Sequence, residues 1–155
     1  MVSRLSCLCC AFLGLLFLSG CATGSALNCI SVSITSVGKG TGDSFDTIPV
    51  AVRFANENVI AVGASDTFHK LYLNGVYVGE CRSHKPVGMQ AEATVTEVLP
   101  FTIKKPDYVR QLALAGKLVN YEIDSRIDVY IDTEHLEVKP SHKGTLDLSP
   151  LLGAK

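Results

Sequence analysis

The sequence predicts an all-β domain, an antiparallel β-sandwich of about seven strands with one short helix. Apolar and polar residues alternate with period two over several stretches, which is the pattern of half-buried strands. Asn74 and Gly75 separate two such stretches, as in a two-residue hairpin. One stretch, residues 107–115, has helical spacing between a proline and a glycine.

The N-terminus has the anatomy of an export signal. Arg4 precedes an apolar stretch, residues 5–18, that is too short to cross a bilayer as a stable helix. Residues 18–21 (LSGC) then place small side chains immediately before a cysteine. This pattern resembles the lipobox of bacterial lipoproteins, which implies cleavage between Gly20 and Cys21 and lipidation of Cys21. An uncleaved anchor, or an ordinary signal peptide cut nearby, is the alternative.

The lipobox resemblance implies a location and a first partner. Acyl chains on Cys21, at ~0.8 kcal/mol per buried methylene, hold the domain to a membrane. The next residue is Ala22, whereas lipoproteins retained in the inner membrane usually have aspartate there. We therefore expect an envelope protein anchored in the outer membrane and facing the periplasm. The expected division of the chain is signal peptide 1–20, lipidated tether 21–28, folded domain 29–149 and C-terminal tail 150–155.

Charge and cysteine content restrict the function classes. The chain has a formal net charge of −1, and loss of Arg4 with the signal peptide leaves −2. Because a nucleic-acid-binding domain needs a basic stripe, we expect no nucleic-acid partner. Besides Cys21, the mature chain keeps Cys29 and Cys81. An oxidising compartment allows a disulfide between them; two buried thiols are the alternative.

The first two strands are predicted at residues 30–35 and 48–54, where apolar side chains occupy alternate positions. Pro49 lacks an N–H, which predicts an edge position or a bulge. Asn56 and Asn58 follow the second strand. Because asparagine bonds its own backbone and tolerates the left-handed region, we expect a turn there.

The hairpin around Asn74 and Gly75 is the clearest local signal, and a type I′ turn is expected. Aliphatic side chains then share the core face, while two tyrosines stabilise the other face or form a ligand platform. The predicted register pairs Leu73 with Val76, Tyr72 with Tyr77 and Leu71 with Val78.

The remaining elements complete the fold class. A strand at residues 91–103 is interrupted by Glu97, which predicts a bulge, and the helix at 107–115 follows. A long strand at 118–132 and a short one at 145–148 alternate again. Short strands of this number and spacing suggest an immunoglobulin/fibronectin-III-like sandwich.

The residues indicate no catalytic or metal chemistry. The histidines lack metal-ligand spacing, and no serine lies in a Gly-x-Ser-x-Gly elbow. Glu122, Asp124, Asp128 and Asp132 share one strand face, but positions ~6.6 Å apart are too widely spaced for one strand to hold a calcium ion. A solvated face with Arg126 as counter-charge is the interpretation. We expect no enzyme activity, cofactor or metal site.

The ordered set of segments resembles the group 2 late embryogenesis abundant (LEA type 2) proteins, whose module is the water stress and hypersensitive response (WHy) domain. The likeness covers nearly all of residues 28–149. It implies a folded, non-enzymatic β-sandwich linked to desiccation, cold or osmotic stress. The family usually has Asn-Pro-Asn after its second strand, whereas here Glu57 separates Asn56 and Asn58. The segments that carry the likeness are residues 50–58, 71–76, 119–123 and 144–148, with a helix between the second and third.

Two functions follow as hypotheses. The first is a stress-protection or envelope-interaction module that binds a protein or a membrane component at the periplasmic face, through exposed loops or an unpaired edge strand. The alternative is a periplasmic carrier of a lipid or other apolar small molecule, which predicts a cavity of ~300 Å³ or more between the sheets.

Overall fold

A computed structural model of the chain describes residues 30–39, 45–116 and 118–153. The predicted cleavage and lipidation residues Gly20 and Cys21 lie outside these ranges, as does Cys29. No helix within the ranges is long and apolar enough to cross a membrane.

The described residues form nine strands and one short α-helix, which confirms the predicted antiparallel, mostly β architecture. The elements are β1 (Ile30–Val37), β2 (Thr47–Asn56), β3 (Val62–Leu73), β4 (Val76–Ser83), β5 (Val87–Met89), β6 (Ala93–Ile103), α1 (Pro106–Leu114), β7 (Val119–Ile131), β8 (Glu134–Val138), β9 (Ser141–Leu146) and a final 3₁₀ turn (Ser149–Leu152). The structure has nine strands where about seven were predicted, because the partners of two long strands are each divided: β4 and β5 both pair with β3, and β8 and β9 both pair with β7.

The strands follow the order β1-β2-β6-β4-β3-β7-β8, and every pairing is antiparallel. The β4–β6 pairing consists of only two residue pairs, Gly79 with Ile103 and Glu80 with Thr102. We call β1-β2-β6 the β2 half, and β4-β3-β7 with β5, β8 and β9 the β3 half. The sheet curls so that β1 lies against β9 and β7.

The core lies inside this curl and consists of the inward-facing apolar side chains of the strands. Tyr121, Ile123 and Val129 of β7 are buried, as the alternation in the long strand predicts. Phe54 and Phe101 of the β2 half are the largest of the fully buried side chains. Short α1 buries Val109 and Ala113, and the final turn buries Leu151 and lies against α1.

Tyr121 ties the two ends of the curl together. Its hydroxyl accepts a hydrogen bond from the Ile34 N–H at 3.1 Å and lies 3.3 Å from the Ile34 carbonyl oxygen. His142 Nδ1, on β9, is 3.1 Å from the same hydroxyl. Because Ile34 is on the edge strand β1, this side chain satisfies backbone groups that lack a neighbouring strand.

Replacing Tyr121 with Phe removes the hydroxyl and leaves the buried Ile34 N–H unpaired. We expect Tyr121→Phe to lower the free energy of unfolding by about 2 kcal/mol, measured by urea denaturation. Tyr130→Phe is the control, because the half-buried Tyr130 ring packs on His135 with a centroid distance of 4.1 Å. Equal stability of Tyr121→Phe and the wild type would contradict the role of this hydroxyl.

Gly79 allows the two halves to meet. A Cβ at this position would collide with the Thr102 carbonyl oxygen and contact the Ile103 Cα. We expect Gly79→Ala to reduce stability by about 2 kcal/mol, as overpacking does, measured as a lower thermal midpoint. Gly63→Ala is the matched control, since a Cβ at Gly63 meets nothing within 4 Å. An equal effect of both substitutions would show that close approach at Gly79 is not the cause.

Three local predictions are wrong. No bulge occurs at Glu97, because β2 and β6 pair without a register shift; its carboxylate instead binds Lys85 Nζ at 2.6 Å. Pro49 occupies an inner strand, at the point where pairing with β1 ends, and its carbonyl accepts a hydrogen bond from Gly38 N–H. Beyond the first two pairs the hairpin register shifts, so that Leu71 faces Gly79 rather than Val78.

Candidate functional site

Cys81 is a buried free thiol on β4 within the described ranges. Burial raises its pKa to about 11. The thiolate, which is the reactive form, is therefore scarce at neutral pH. Its predicted disulfide partner Cys29 lies outside the described residues, and the disulfide stays a prediction.

Asn74 and Gly75 form the predicted tight turn. Both have positive φ, 49° and 78°, as a type I′ turn requires. The turn also contacts β7: Asn74 N–H donates to the Asn120 carbonyl at 2.7 Å, and Asn120 N–H donates to Asn74 Oδ1 at 3.1 Å. The turn residues therefore join three strands at this end of the β3 half.

Asn56 and Asn58 form a buried polar cluster. Asn56 is 1% exposed, and its Nδ2 donates to the carbonyls of Ile60 at 2.8 Å and Gln90 at 2.9 Å, with the Met89 carbonyl at 3.3 Å. Its Oδ1 accepts hydrogen bonds from the backbone N–H and side-chain Nδ2 of Asn58. Asn56 therefore joins the loop after β2 to the segment between β5 and β6.

The outer face of the β3 half carries an aromatic and charged surface around Phe68. Arg82 and Arg126 lie 5.3 and 5.7 Å from the centre of the Phe68 ring, within the range of cation–π attraction. A groove of about 320 Å³ opens beside it. Its lining residues are Phe68, Lys70, Tyr72, Asp124, Ser125, Arg126, Lys139, Pro140 and Ser141.

The two hairpin tyrosines pack together on this outer face, as predicted. The Tyr72 and Tyr77 rings are 5.6 Å apart at 60°. Tyr77 also donates a hydrogen bond to Glu80 at 2.6 Å. Desolvation and this hydrogen bond raise the pKa of Tyr77 to about 12. The contacts are those of a stabilising cross-strand pair.

Cations lie opposite two acidic side chains of β7, and the cation of β7 itself pairs with an acidic side chain of β8. Lys143 Nζ lies 3.2 Å from the Glu122 carboxylate, and Lys70 is the cross-strand neighbour of Asp124. Arg126 is 3.4 Å from Glu137 on β8. No group of three or more His, Cys, Asp or Glu side chains in the described part of the chain is arranged to hold a metal ion.

His69 is a core residue that the sequence interpretation did not single out. It is fully buried on β3, with Nδ1 2.8 Å from the Ser125 hydroxyl. Its ring packs against Phe54 and Phe101 of the β2 half. Nε2 has no hydrogen-bond partner among the described residues, and burial lowers the pKa of His69 to about 4. His69 lies on the same strand face as Leu71 and Leu73. This alternation is the sequence signal that places it in the core.

Among the described residues, one side of β6 has no strand partner along most of its length; we call this side the β6 edge. Ile103 N–H bonds to the Asp46 carbonyl on the β2 side, whereas Lys104 N–H bonds to the Val78 carbonyl on the β4 side. Backbone groups alternate in this way along an antiparallel strand. The groups of Thr94, Thr96 and Val98 therefore point away from β2, beyond the two pairs with β4.

The β6 edge is the candidate interaction site, since unpaired N–H and C=O groups are a template for another strand. All three of its residues are exposed, and Val98 is 65% exposed. Pro100 has no N–H and ends the run of free donors. The sequence predicts binding through exposed loops or an edge strand, and the observed strand order shows that β6 provides such an edge.

Comparisons with known proteins identify similar solved structures but no family. No protein-family model and no curated protein matches the chain. The solution structure of AT1g01470 from Arabidopsis thaliana is similar, with a TM-score of 0.50, 12% identity, and coverage of 75% of this chain and 81% of that one. A crystal structure of a protein from Archaeoglobus fulgidus has a TM-score of 0.41, 16% identity, and coverage of 77% and 96%. Identities this low carry no information about function.

Proposed function

We propose that this chain is a membrane-anchored, non-enzymatic envelope lipoprotein with a LEA type 2/WHy-like domain. In this proposal the domain protects the envelope under desiccation or osmotic stress by binding an envelope component through the β6 edge. The observation that supports the proposal is that the outward backbone groups of Thr94, Thr96 and Val98 have no strand partner within residues 30–39, 45–116 and 118–153.

We further propose that the curled sheet is an immunoglobulin/fibronectin-III-like sandwich whose layers are the β2 half and the β3 half. The two-pair connection between β4 and β6 supports this division. Contacts between the halves also support it: His69 of β3 packs on Phe54 and Phe101, and Tyr121 of β7 bonds to Ile34 of β1.

The role of Asn56 and Asn58 supports the proposed family. The resemblance selects these two asparagines after the second strand, and both are buried and bonded to each other. Glu57 stands between them where the family usually has proline. Rigidity at this turn therefore comes from the side-chain hydrogen bonds of Asn56.

The carrier alternative requires an apolar cavity between the halves. In the described part of the chain that space holds large, fully buried side chains, among them Phe54, Phe101, Met89 and Leu71. The groove of about 320 Å³ lies instead on the outer face, beside charged Lys70, Asp124 and Arg126. The interaction function is therefore the one that the geometry favours.

Lipid anchoring is tested by metabolic labelling of bacterial cells with an alkyne fatty acid. We expect wild-type protein to carry the label and to fractionate with the outer membrane, and Cys21→Ser to lose both. Cys29→Ser is the matched control and should keep both. Membrane fractionation and labelling of Cys21→Ser at wild-type levels would overturn the anchor.

The protective role is tested by survival of a deletion strain after drying. We expect the wild-type gene to restore survival and Val98→Lys to fail, because a lysine on an edge strand obstructs strand pairing. Thr102→Lys is the control, since Thr102 shares the exposed face but its backbone already pairs with β4. Full rescue by Val98→Lys would remove the β6 edge from the function.

A further inference from the structure

We propose that the β6 edge pairs with the β6 edge of a second copy of this chain, antiparallel and centred on Thr96. This inference rests on the proposed function, because it names the partner of the same edge. The resulting dimer has a two-fold axis through the Thr96 pair.

The register follows from pairing Thr94, Thr96 and Val98 among themselves while keeping the direction of their backbone groups. With the axis at Thr96, this residue faces Thr96 of the second copy, and Thr94 faces Val98 of the second copy. Each such pair exchanges two hydrogen bonds. All of these donors and acceptors lie on the side of β6 that has no partner. If one strand were shifted by a single residue, the outward groups of one copy would lie opposite residues of the second copy whose groups already bond to β2.

The side chains fit the same register. Thr94, Thr96 and Val98 are exposed on the outer face, and β-branched residues form favourable cross-strand pairs. On the inner face Glu97 lies opposite Val95 of the second copy, so that like charges do not face each other. Lys85 already neutralises Glu97 at 2.6 Å.

The edge at β8 differs in composition from the β6 edge. Exposed β8 carries Glu134 and Glu137 in five residues, and edge charges of this kind oppose strand addition. The outward residues of the β6 edge carry no charge. At the paired positions of β1, β2 and β6, Arg53 is the one charged residue on the outer face.

The geometry also suits two copies on one membrane. A two-fold axis of antiparallel strands runs perpendicular to the sheet, so the β1 strands of both copies lie in the same layer. The lipidated residue Cys21 is connected to the start of β1 by residues 21–29, which would span ~30 Å when extended. A strand-edge interface is small and weak in dilute solution, but anchoring to one membrane raises the effective concentration.

Cysteine crosslinking of the anchored full-length protein tests the pairing. In a Cys29→Ser background, Thr96→Cys is oxidised with copper-phenanthroline in isolated membranes and analysed on a non-reducing gel. Paired residues that exchange hydrogen bonds have Cα atoms ~5.5 Å apart, which is within the range for a disulfide. We expect a dimer of twice the monomer mass from Thr96→Cys. Thr102→Cys, on the same strand and face, should give none.

A second pair of variants fixes the register. Thr94→Cys and Val98→Cys should each remain monomeric alone and should form a dimer when expressed together. A folded, anchored Thr96→Cys protein without dimer overturns the pairing, as does equal dimer from Thr102→Cys or a product of another mass. These results leave the proposed function intact if membrane fractionation of the protein still depends on Cys21. If fractionation does not depend on Cys21, the proposed lipid anchor is wrong.

Discussion

Asn56→Asp is expected to lower the free energy of unfolding by about 4 kcal/mol at pH 7. The substitution is nearly isosteric and keeps the oxygen that accepts from Asn58. It replaces the Nδ2 donor with a second oxygen, which then faces the carbonyls of Ile60, Met89 and Gln90. A buried carboxylate with one oxygen held against carbonyl oxygens is strongly disfavoured. Urea denaturation of the wild type and the variant measures the difference.

The pH dependence of the Asn56→Asp variant identifies the cause of its instability. Burial and the facing carbonyls raise the pKa of the new carboxyl. Its destabilisation should therefore shrink as the pH falls and the folded protein takes up a proton. Asn120→Asp is the control, because Asn120 is exposed, and it should change stability by less than about 0.5 kcal/mol. Equal effects at the two positions would contradict the buried cluster.

His69 is expected to make the protein less stable as the pH falls from 6.5 to 4. Burial lowers its pKa from 6.5 to about 4 in the folded protein. Between these values the unfolded chain binds a proton that the folded protein does not, so stability rises with pH across this window. The full loss is about 3 kcal/mol. Ser125, Cys81, Phe54 and Phe101 surround the ring, and none supplies a counter-charge.

The double variant His69→Leu/Ser125→Ala isolates this contribution. It removes the ionisable ring together with the hydroxyl that bonds to it. Chemical denaturation at pH 4, 5.5 and 7 should show a flatter pH dependence than the wild type. His84→Asn, at an exposed histidine beside Asp66, should keep the wild-type slope. A double variant with an unchanged slope would assign the acid sensitivity to other groups.

Local sequence patterns predicted the elements whose structure depends on neighbours in the chain. The Asn74-Gly75 turn has the expected positive φ values. The alternation in β7 places Tyr121 and Ile123 in the core. The helix begins at Pro106, where proline is compatible with the first turn. Each of these features follows from backbone preference or side-chain periodicity alone.

The errors occurred where pairing between distant strands decides the structure. Glu97 interrupts an apolar pattern and suggested a bulge, but Lys85 from the β4–β5 connection compensates its charge. Pro49 suggested an edge strand, yet pairing with β1 ends just where its missing N–H would be needed. Sequence periodicity contains no information on such partners.

The sequence predicted that an edge strand could form the candidate site, but it did not predict which strand has the free edge. Edge pairing is a property of strand order, and the order β2-β6-β4 joins segments far apart in the chain. The exposed β-branched residues Thr94, Thr96 and Val98 look like an ordinary solvated strand face in the sequence. Only the alternating hydrogen bonds of Ile103 and Lys104 show which backbone groups are unpaired.

Amide hydrogen exchange along β6 tests most directly the claim that this strand has a free edge. We would measure it by NMR on detergent-solubilised protein at a concentration where it is monomeric. A free β6 edge predicts slow exchange for Val95, Glu97 and Leu99, whose N–H groups face β2, and fast exchange for Thr94, Thr96 and Val98. Equally slow exchange at all six amides of the monomer would contradict it.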